Sequence, residues 1–276
     1  MLLQQGIALP IPPLHRMMIR KTHVVPIAFL LAFLLALLPV PPAAAAEETL
    51  SLAPFGTVTL YHATPRPAHV ALFLSGDGGW NQGVVAMARE LVGLDTLVAG
   101  VNIRAYLRAK ASRPAGQCFD MAGDLEALGR AVERRLGYPG YVPPVLVGYS
   151  SGATVVYAAL VQAKPHTFRG ALSLGFCPDL RVKPPICEGS GGLAWQKDPH
   201  GLGIDFLASK ELEDPWVVLQ GARDKVCDPE ATRAYVATVP RGELVWLPDV
   251  GHGFGVPKNW LPQLEDGFAR ITGPKR

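Results

Sequence analysis

The sequence predicts an α/β domain with a mainly parallel sheet covered by helices on both faces. Two observations point there. Apolar runs of strand length alternate with longer amphipathic stretches, the pattern of repeated strand–helix–strand units. Most of those runs are apolar without alternation, which marks strands buried on both faces.

Taken in order, 57–62 (TVTLYH) alternates and reads as an edge strand. Residues 70–74 (VALFL) read as a buried strand ended by Ser75-Gly76-Asp77-Gly78-Gly79, and 82–92 as a helix. A strand follows at 96–101, then a helix over 119–136 with Leu125, Leu128, Val132 and Leu136 on one face. Residues 145–148 form a short buried strand, and 153–163 an apolar helix stopped before Pro165. Strands are expected at 171–175, 216–220 (WVVLQ) and 243–247 (ELVWL). The last helix spans 259–271, with Pro262 tolerated in its first turn. Segment 177–214 breaks this rhythm. It is long and rich in Gly and Pro, and a segment of that kind inside a compact domain reads as a lid-like insertion.

The chain has 276 residues, 49% hydrophobic and 18% charged, which excludes intrinsic disorder. Its 26 Lys+Arg nearly balance 23 Asp+Glu, so a nucleic-acid partner is not expected. The mean hydropathy of +0.21 is high, and its source is local. Residues 24–46 carry no charge, 28–38 are continuously apolar, Arg20 and Lys21 precede them, and Ala44-Ala45-Ala46 is followed by Glu47-Glu48. A basic stretch, a short apolar core and an A-x-A site read as an export signal cut after Ala46. The apolar core is short of the roughly 20 residues a membrane span needs. The expectation is therefore an N-terminal extension and signal over 1–46, a single domain over 47–276, and a periplasmic location. Residues 1–16 sit awkwardly before the basic stretch, so Met17 or Met18 reads as a more natural start than Met1. Arg16, Arg20 and Lys21 account for the net charge of +3 and leave a formally neutral remainder.

Export makes the four cysteines, Cys118, Cys177, Cys187 and Cys227, disulfide candidates with three possible pairings. The closeness of Cys177 and Cys187 favours a local staple. The spacings lack a C-x-x-C pair, so no metal is expected.

Gly148-Tyr149-Ser150-Ser151-Gly152 matches G-x-S-x-G. An apolar strand runs into it and an apolar helix runs out, which is the context of the α/β-hydrolase nucleophile elbow. Ser150 then needs a base, because a free hydroxyl is a weak nucleophile. In this fold the order is serine, acid, histidine. His252 follows strand 243–247 between two glycines and fits as the base. His62, His69 and His166 fit less well, and His200 in the insertion is the runner-up. Asp224, after strand 216–220, fits as the acid that orients the imidazole. Asp228 and Asp179 are the alternatives. The oxyanion donors are expected to be the backbone N–H of Ser151 and that of Asp77, with Gly78 next. The glycine run 75–79 lacks both G-K-[ST] and G-x-G-x-x-G, so no nucleotide cofactor is expected. A triad and an oxyanion hole complete the chemistry with no cofactor.

Five segments, SGDGGW (75–80), GYSSGA (148–153), LGFCPDL (174–180), QGARDKVC (220–227) and VGHGF (250–254), together resemble the bacterial VirJ/AcvB family, over roughly residues 70–268. The resemblance implies a periplasmic α/β hydrolase that cleaves the aminoacyl ester of lysyl-phosphatidylglycerol, in a setting of virulence and type IV secretion. It implies Ser150, Asp224 and His252 as the triad. The chain resembles the shorter VirJ form, and Ser151 stands where a bulkier residue is expected in some members. A lysine ester presents two amino groups, so carboxylates are expected in its pocket. Asp77 and Asp179, with Trp80 beside the first, are the candidate substrate contacts, and Asp77 is alternatively a cap for the helix after it. The expected partner is an aminoacyl-phospholipid or another ester, with peripheral contact to a membrane surface. Two other readings stand beside this one: a general carboxylesterase or lipase, and a hydrolase-fold binding factor for envelope or secretion functions.

Overall fold

The computed structural model describes residues 46–199 and 201–273. The expected leader up to residue 45 and the runner-up base His200 lie outside them. In chain order the strands are β1 (Ala46–Leu52), β2 (Gly56–His62), β3 (His69–Leu74), β4 (Thr96–Val101), β5 (Val145–Tyr149) and β6 (Gly170–Leu174). They continue with β7 (Asp179–Leu180), β8 (Trp195–Lys197), β9 (Ile204–Phe206), β10 (Trp216–Gly221) and β11 (Gly242–Leu247). The helices are α1 (Gln82–Val92), α2 (Ile103–Ala111), α3 (Met121–Arg135), α4 (Ser151–Gln162), α5 (Pro229–Val236) and α6 (Leu261–Thr272).

The main sheet has the order β1-β2-β4-β3-β5-β6-β10-β11. β1, β2 and β4 pair antiparallel, and every other neighbouring pair is parallel. Every residue of β4, β6 and β10 is buried, which is why these strands read as apolar without alternation. The alternation survives in where side chains go. On β3, Leu72 and Leu74 join a core with α3 and α4, whereas Ala71 and Phe73 join a second core with α1 and α6. Helix α4 is buried on all sides from Gly152 to Gln162, so it lacks a polar face.

The structure adds elements that the sequence pattern does not announce. β1 pairs with β2 along its whole length, but it is an edge strand with only alternate residues half-buried. α2 buries only Ile103 and Tyr106 and starts at a capping Asn102. α5 is short and starts at Asp228, whose carboxylate accepts from the N–H groups of Glu230 and Ala231.

The segment 177–214 differs most from expectation. It folds into a small antiparallel sheet of order β7-β9-β8 and docks on the C-terminal end of α4. Ser190 and Gly191 donate backbone N–H groups to the carbonyls of Gln162 and Val161 at 2.9 and 3.1 Å. A Cβ on Gly189 would lie 2.2 Å from the Gln162 carbonyl oxygen, so glycine allows this approach. The Gln162 side chain joins three segments. Its Oε1 accepts from Met121 and Ala122, and its Nε2 donates to the carbonyls of Phe119 and Cys187. Twelve residues of helix separate this anchor from Ser150, about 18 Å at 1.5 Å per residue. One anchor of the insertion thus lies at the far end of the helix from Ser150.

The cysteines pair as Cys118–Cys187 and Cys177–Cys227, not as Cys177–Cys187. The reason lies in the backbone. Phe119 and Ile186 form a parallel bridge, with Phe119 donating to the Pro185 carbonyl and Cys187 to the Phe119 carbonyl. This brings Cys118 and Cys187 to a Cα separation of 5.0 Å. The chain leaves Cys177 for β7, so Cys177 faces the loop after β10 instead.

Glu133 on α3 is 3% exposed. Its Oε2 accepts from the Val142 N–H at 3.3 Å, and its Oε1 has no partner among the described residues. Burial raises its carboxyl to about 7, against the backbone hydrogen bond and nearby arginines. The folded state therefore holds a proton that the unfolded chain loses near its ordinary value of 4.5. Stability is fully present below that value and falls as pH rises toward 7, by up to about 3 kcal/mol. Glu133→Gln is expected to flatten the decline, seen as a smaller drop in melting temperature between pH 5 and about pH 8. An unchanged pH dependence would remove the assignment.

Candidate active site

The site begins at the turn from β5 into α4. Ser150 has φ 55° and ψ −126°, a conformation a non-glycine residue rarely adopts. The surroundings hold it there. A Cβ on Gly148 would lie 2.2 Å from the Gly152 carbonyl oxygen, and one on Gly152 would lie 2.3 Å from that of Leu74. Both glycines of the motif are therefore required by the closeness of strand, turn and helix. Ser150 N–H donates to Leu174 O at 2.9 Å and extends the β5–β6 pairing into the turn.

His252 Nε2 lies 3.0 Å from Ser150 Oγ, and His252 Nδ1 lies 2.8 Å from Asp224 Oδ2. A carboxylate only accepts, so Nδ1 carries the proton and Nε2 is left to accept from the serine hydroxyl. The imidazole is held from behind: Tyr149 OH donates to the His252 carbonyl at 3.0 Å, and the two rings lie 5.5 Å apart. Burial raises the Tyr149 phenol above its ordinary value, with Asp224 adding to the rise, which keeps it a donor.

Asp224 is buried and fully satisfied. Its Oδ1 accepts from the N–H groups of Val226 and Cys227 at 2.8 and 3.0 Å, and its Oδ2 also accepts from Gln220 Nε2 at 3.1 Å. Burial pushes its carboxyl up, but the hydrogen bonds from His252 and the two backbone N–H groups outweigh it, and the group sits below the usual carboxylate range. Asp224 thus stays charged and can stabilise a protonated imidazole. The Cys177–Cys227 disulfide ties this loop to the end of β6.

Asp77 and Gly78 lie in the turn after β3, which is closed by the Gly79 N–H donating to the Gly76 carbonyl at 2.9 Å. Their own N–H groups lie outside that bond. The Ser151 N–H is the first of α4, and a helix leaves its first N–H groups without partners inside the helix. A Cβ on Gly76 would lie 2.9 Å from Ser150 Cβ, so this turn and the elbow are in close contact. A cavity of about 400 Å³ opens here, lined by Asp77, Gly78, Met87, Ser150, Val226 and His252 among others.

Some expected residues are placed elsewhere. The cap of α1 is Asn81, whose Oδ1 accepts from the Gly83 N–H at 3.1 Å, so Asp77 does not cap the helix. Trp80 packs against the sheet. Its Nε1 donates to Tyr61 OH at 3.1 Å, and its ring occupies the space where Gly100 has no side chain. Asp179 lies on β7 beside Asp198 and Asp205, in a separate surface depression, because the docked insertion carries it away. Asp228 caps α5. Tyr149, Gln220, Met87 and Val226 complete the site without having been expected. Of these, Gln220 left a trace in the sequence as the one polar residue ending the apolar run of β10.

The sequence profile of the bacterial virulence protein family VirJ matches residues 68–173. The chain is VirJ-like over that segment. The match includes the turn after β3 and the elbow, whereas the loops that carry Asp224 and His252 lie beyond it. No curated protein matches the chain. Among solved structures, a serine hydrolase of Xanthomonas campestris without a lid is 22% identical with a TM-score of 0.51, covering 87% of this chain and 100% of its own. A dienelactone hydrolase of Anabaena variabilis is 15% identical with a TM-score of 0.56, covering 85% and 100%. Est1E of Butyrivibrio proteoclasticus is 9% identical with a TM-score of 0.53, covering 83% and 99%. The fold of this chain is the α/β-hydrolase fold.

Asp224→Asn would present the wrong hydrogen-bonding group to Nδ1 while keeping its shape. Covalent labelling of Ser150 by a fluorophosphonate is expected to slow by about 10³- to 10⁴-fold in this variant. Labelling at the wild-type rate would remove Asp224 from the relay.

Proposed function

We propose that the protein is a periplasmic serine ester hydrolase working through an acyl-enzyme, with the aminoacyl ester of lysyl-phosphatidylglycerol as its substrate. The observation that carries the reaction class is the continuous relay Ser150–His252–Asp224 at 3.0 and 2.8 Å, opening on a cavity. Ser150 Oγ attacks the ester carbonyl carbon as its proton passes to His252 Nε2. The carbonyl oxygen takes the negative charge and is received by the N–H groups of Ser151 and Asp77. As the intermediate collapses, the bond to the alcohol breaks and His252 returns the proton to the leaving oxygen. Water then attacks the acyl-enzyme by the same route and frees the acid and Ser150.

Two features support a cationic acyl group and an export route. Asp77 supplies the carboxylate at the cavity, beside the nucleophile, and a substrate ammonium is attracted to it. Two disulfides and the VirJ resemblance fit a protein outside the cytoplasm. A general carboxylesterase remains a second reading, favoured by the apolar Val84, Met87 and Val226 on the cavity wall.

The test compares hydrolysis of lysyl-phosphatidylglycerol with that of a neutral acyl ester. Asp77→Asn is expected to lose about tenfold more on the lysyl ester than on the neutral one, the size of one exposed ionic hydrogen bond. Equal losses on both substrates would remove charge recognition. Lipid profiling of cells lacking the protein should show accumulated lysyl-phosphatidylglycerol, and an unchanged lipidome would remove the substrate.

A further inference from the structure

The Ser151 hydroxyl donates to Asp77 Oδ1 at 2.7 Å, across 74 positions of sequence. The two residues belong to different loops, one entering α4 and the other leaving β3. They are also the residues whose backbone N–H groups face the same task in the reaction. Resting on the ester-hydrolase reading, we propose that Ser151 is a positioning residue: its hydrogen bond to the Asp77 carboxylate ties together the two peptides of the oxyanion hole.

Each loop has its own backbone anchors, and the two pack closely against each other. The elbow is fixed by the Ser150 N–H on Leu174 O, and the Ser151 N–H sits at the open start of α4. The turn 76–79 is closed by its own hydrogen bond, and α1 behind it is capped by Asn81. The Asp77 side chain is therefore not spent on the helix and is available to the elbow. A short bond to a charged acceptor is about twice as strong as a neutral one. It crosses the gap that an oxyanion must bridge with two donors. Oxyanion stabilisation depends on both donors being placed before charge develops, and small misplacements cost large factors in rate. The negative charge of Asp77 is itself a disadvantage beside an oxyanion, and the Ser151 hydroxyl directs a proton at it.

The test is a double-mutant cycle on a neutral activated ester, with Ser151→Ala, Asp77→Ala, their combination, and Asp77→Asn. Ser151→Ala and Asp77→Ala are each expected to lower kcat by about tenfold to a hundredfold, with KM within about twofold, because the bond serves the transition state. The combined variant should be no slower than the slower single variant, because both remove one interaction. Asp77→Asn, whose amide oxygen can still accept the hydroxyl, should recover most of the rate lost in Asp77→Ala. A merely structural role would not give that recovery or the split between kcat and KM. Folding of each variant is checked by its thermal transition. Should Ser151→Ala not fold, the contrast between Asp77→Ala and Asp77→Asn carries the test alone. Ser150→Ala separates the two levels of the argument. An active Ser150→Ala would overturn the reaction and the brace together. An inactive Ser150→Ala with a Ser151→Ala as fast as wild type, or with losses that multiply in the double variant, would overturn the brace alone.

Discussion

The backbone conformation of Ser150 depends on how closely β5, α4 and the end of β3 approach one another, and the site depends on it in turn. Gly148 and Gly152 have no room for a Cβ because carbonyls of the helix and of β3 occupy that space. With φ at 55° the chain reverses within one residue, which lifts the hydroxyl out of the sheet and starts α4 directly behind it. The same approach puts the turn after β3 against the elbow. Strain at one residue is tolerated because a fully buried helix and an eight-stranded sheet determine its surroundings.

The other two members of the relay reach Ser150 from the C-terminal ends of β10, next to β6 in the sheet, and of β11, next to β10. Parallel pairing makes these strands end on the same edge, so three side chains far apart in sequence meet. Asp224 is held by four donors and by a disulfide at its neighbour Cys227. That disulfide spans 50 positions of sequence and joins the Asp224 loop to the end of β6, next to the strand that leads into Ser150. The second disulfide serves a different purpose, as it clamps the insertion to the start of α3. Between them the two bonds tie both the first residue of the insertion and Cys187 within it to the domain.

Much of this was legible because the signals were local. Strand–elbow–helix around Ser150 is contiguous in sequence, and the unpatterned runs of β3, β4, β5, β6 and β10 follow from burial on both faces. His252 and Asp224 could be chosen because the fold orders its strands and each residue follows one. Helix α2 was not legible, because two buried residues in nine leave little periodicity. The places of Trp80 and Asp179 were not legible because nearness to a motif in sequence says nothing about which way a side chain turns or where an insertion docks. Trp80 turns into the gap over Gly100, and Asp179 leaves with β7.

The sequence by itself determined the parallel sheet and the strand–elbow–helix around Ser150, since these follow from hydrophobic pattern and from motifs of a few adjacent residues. Only the tertiary structure decided which cysteines pair, that 177–214 folds into a small sheet bonded to the C-terminal end of α4, and that Ser151 reaches Asp77. Each of these joins groups distant along the chain. The choice among such contacts depends on the packing of whole segments, through Gln162, the Phe119–Ile186 bridge and the close-packed elbow, and no local pattern encodes it.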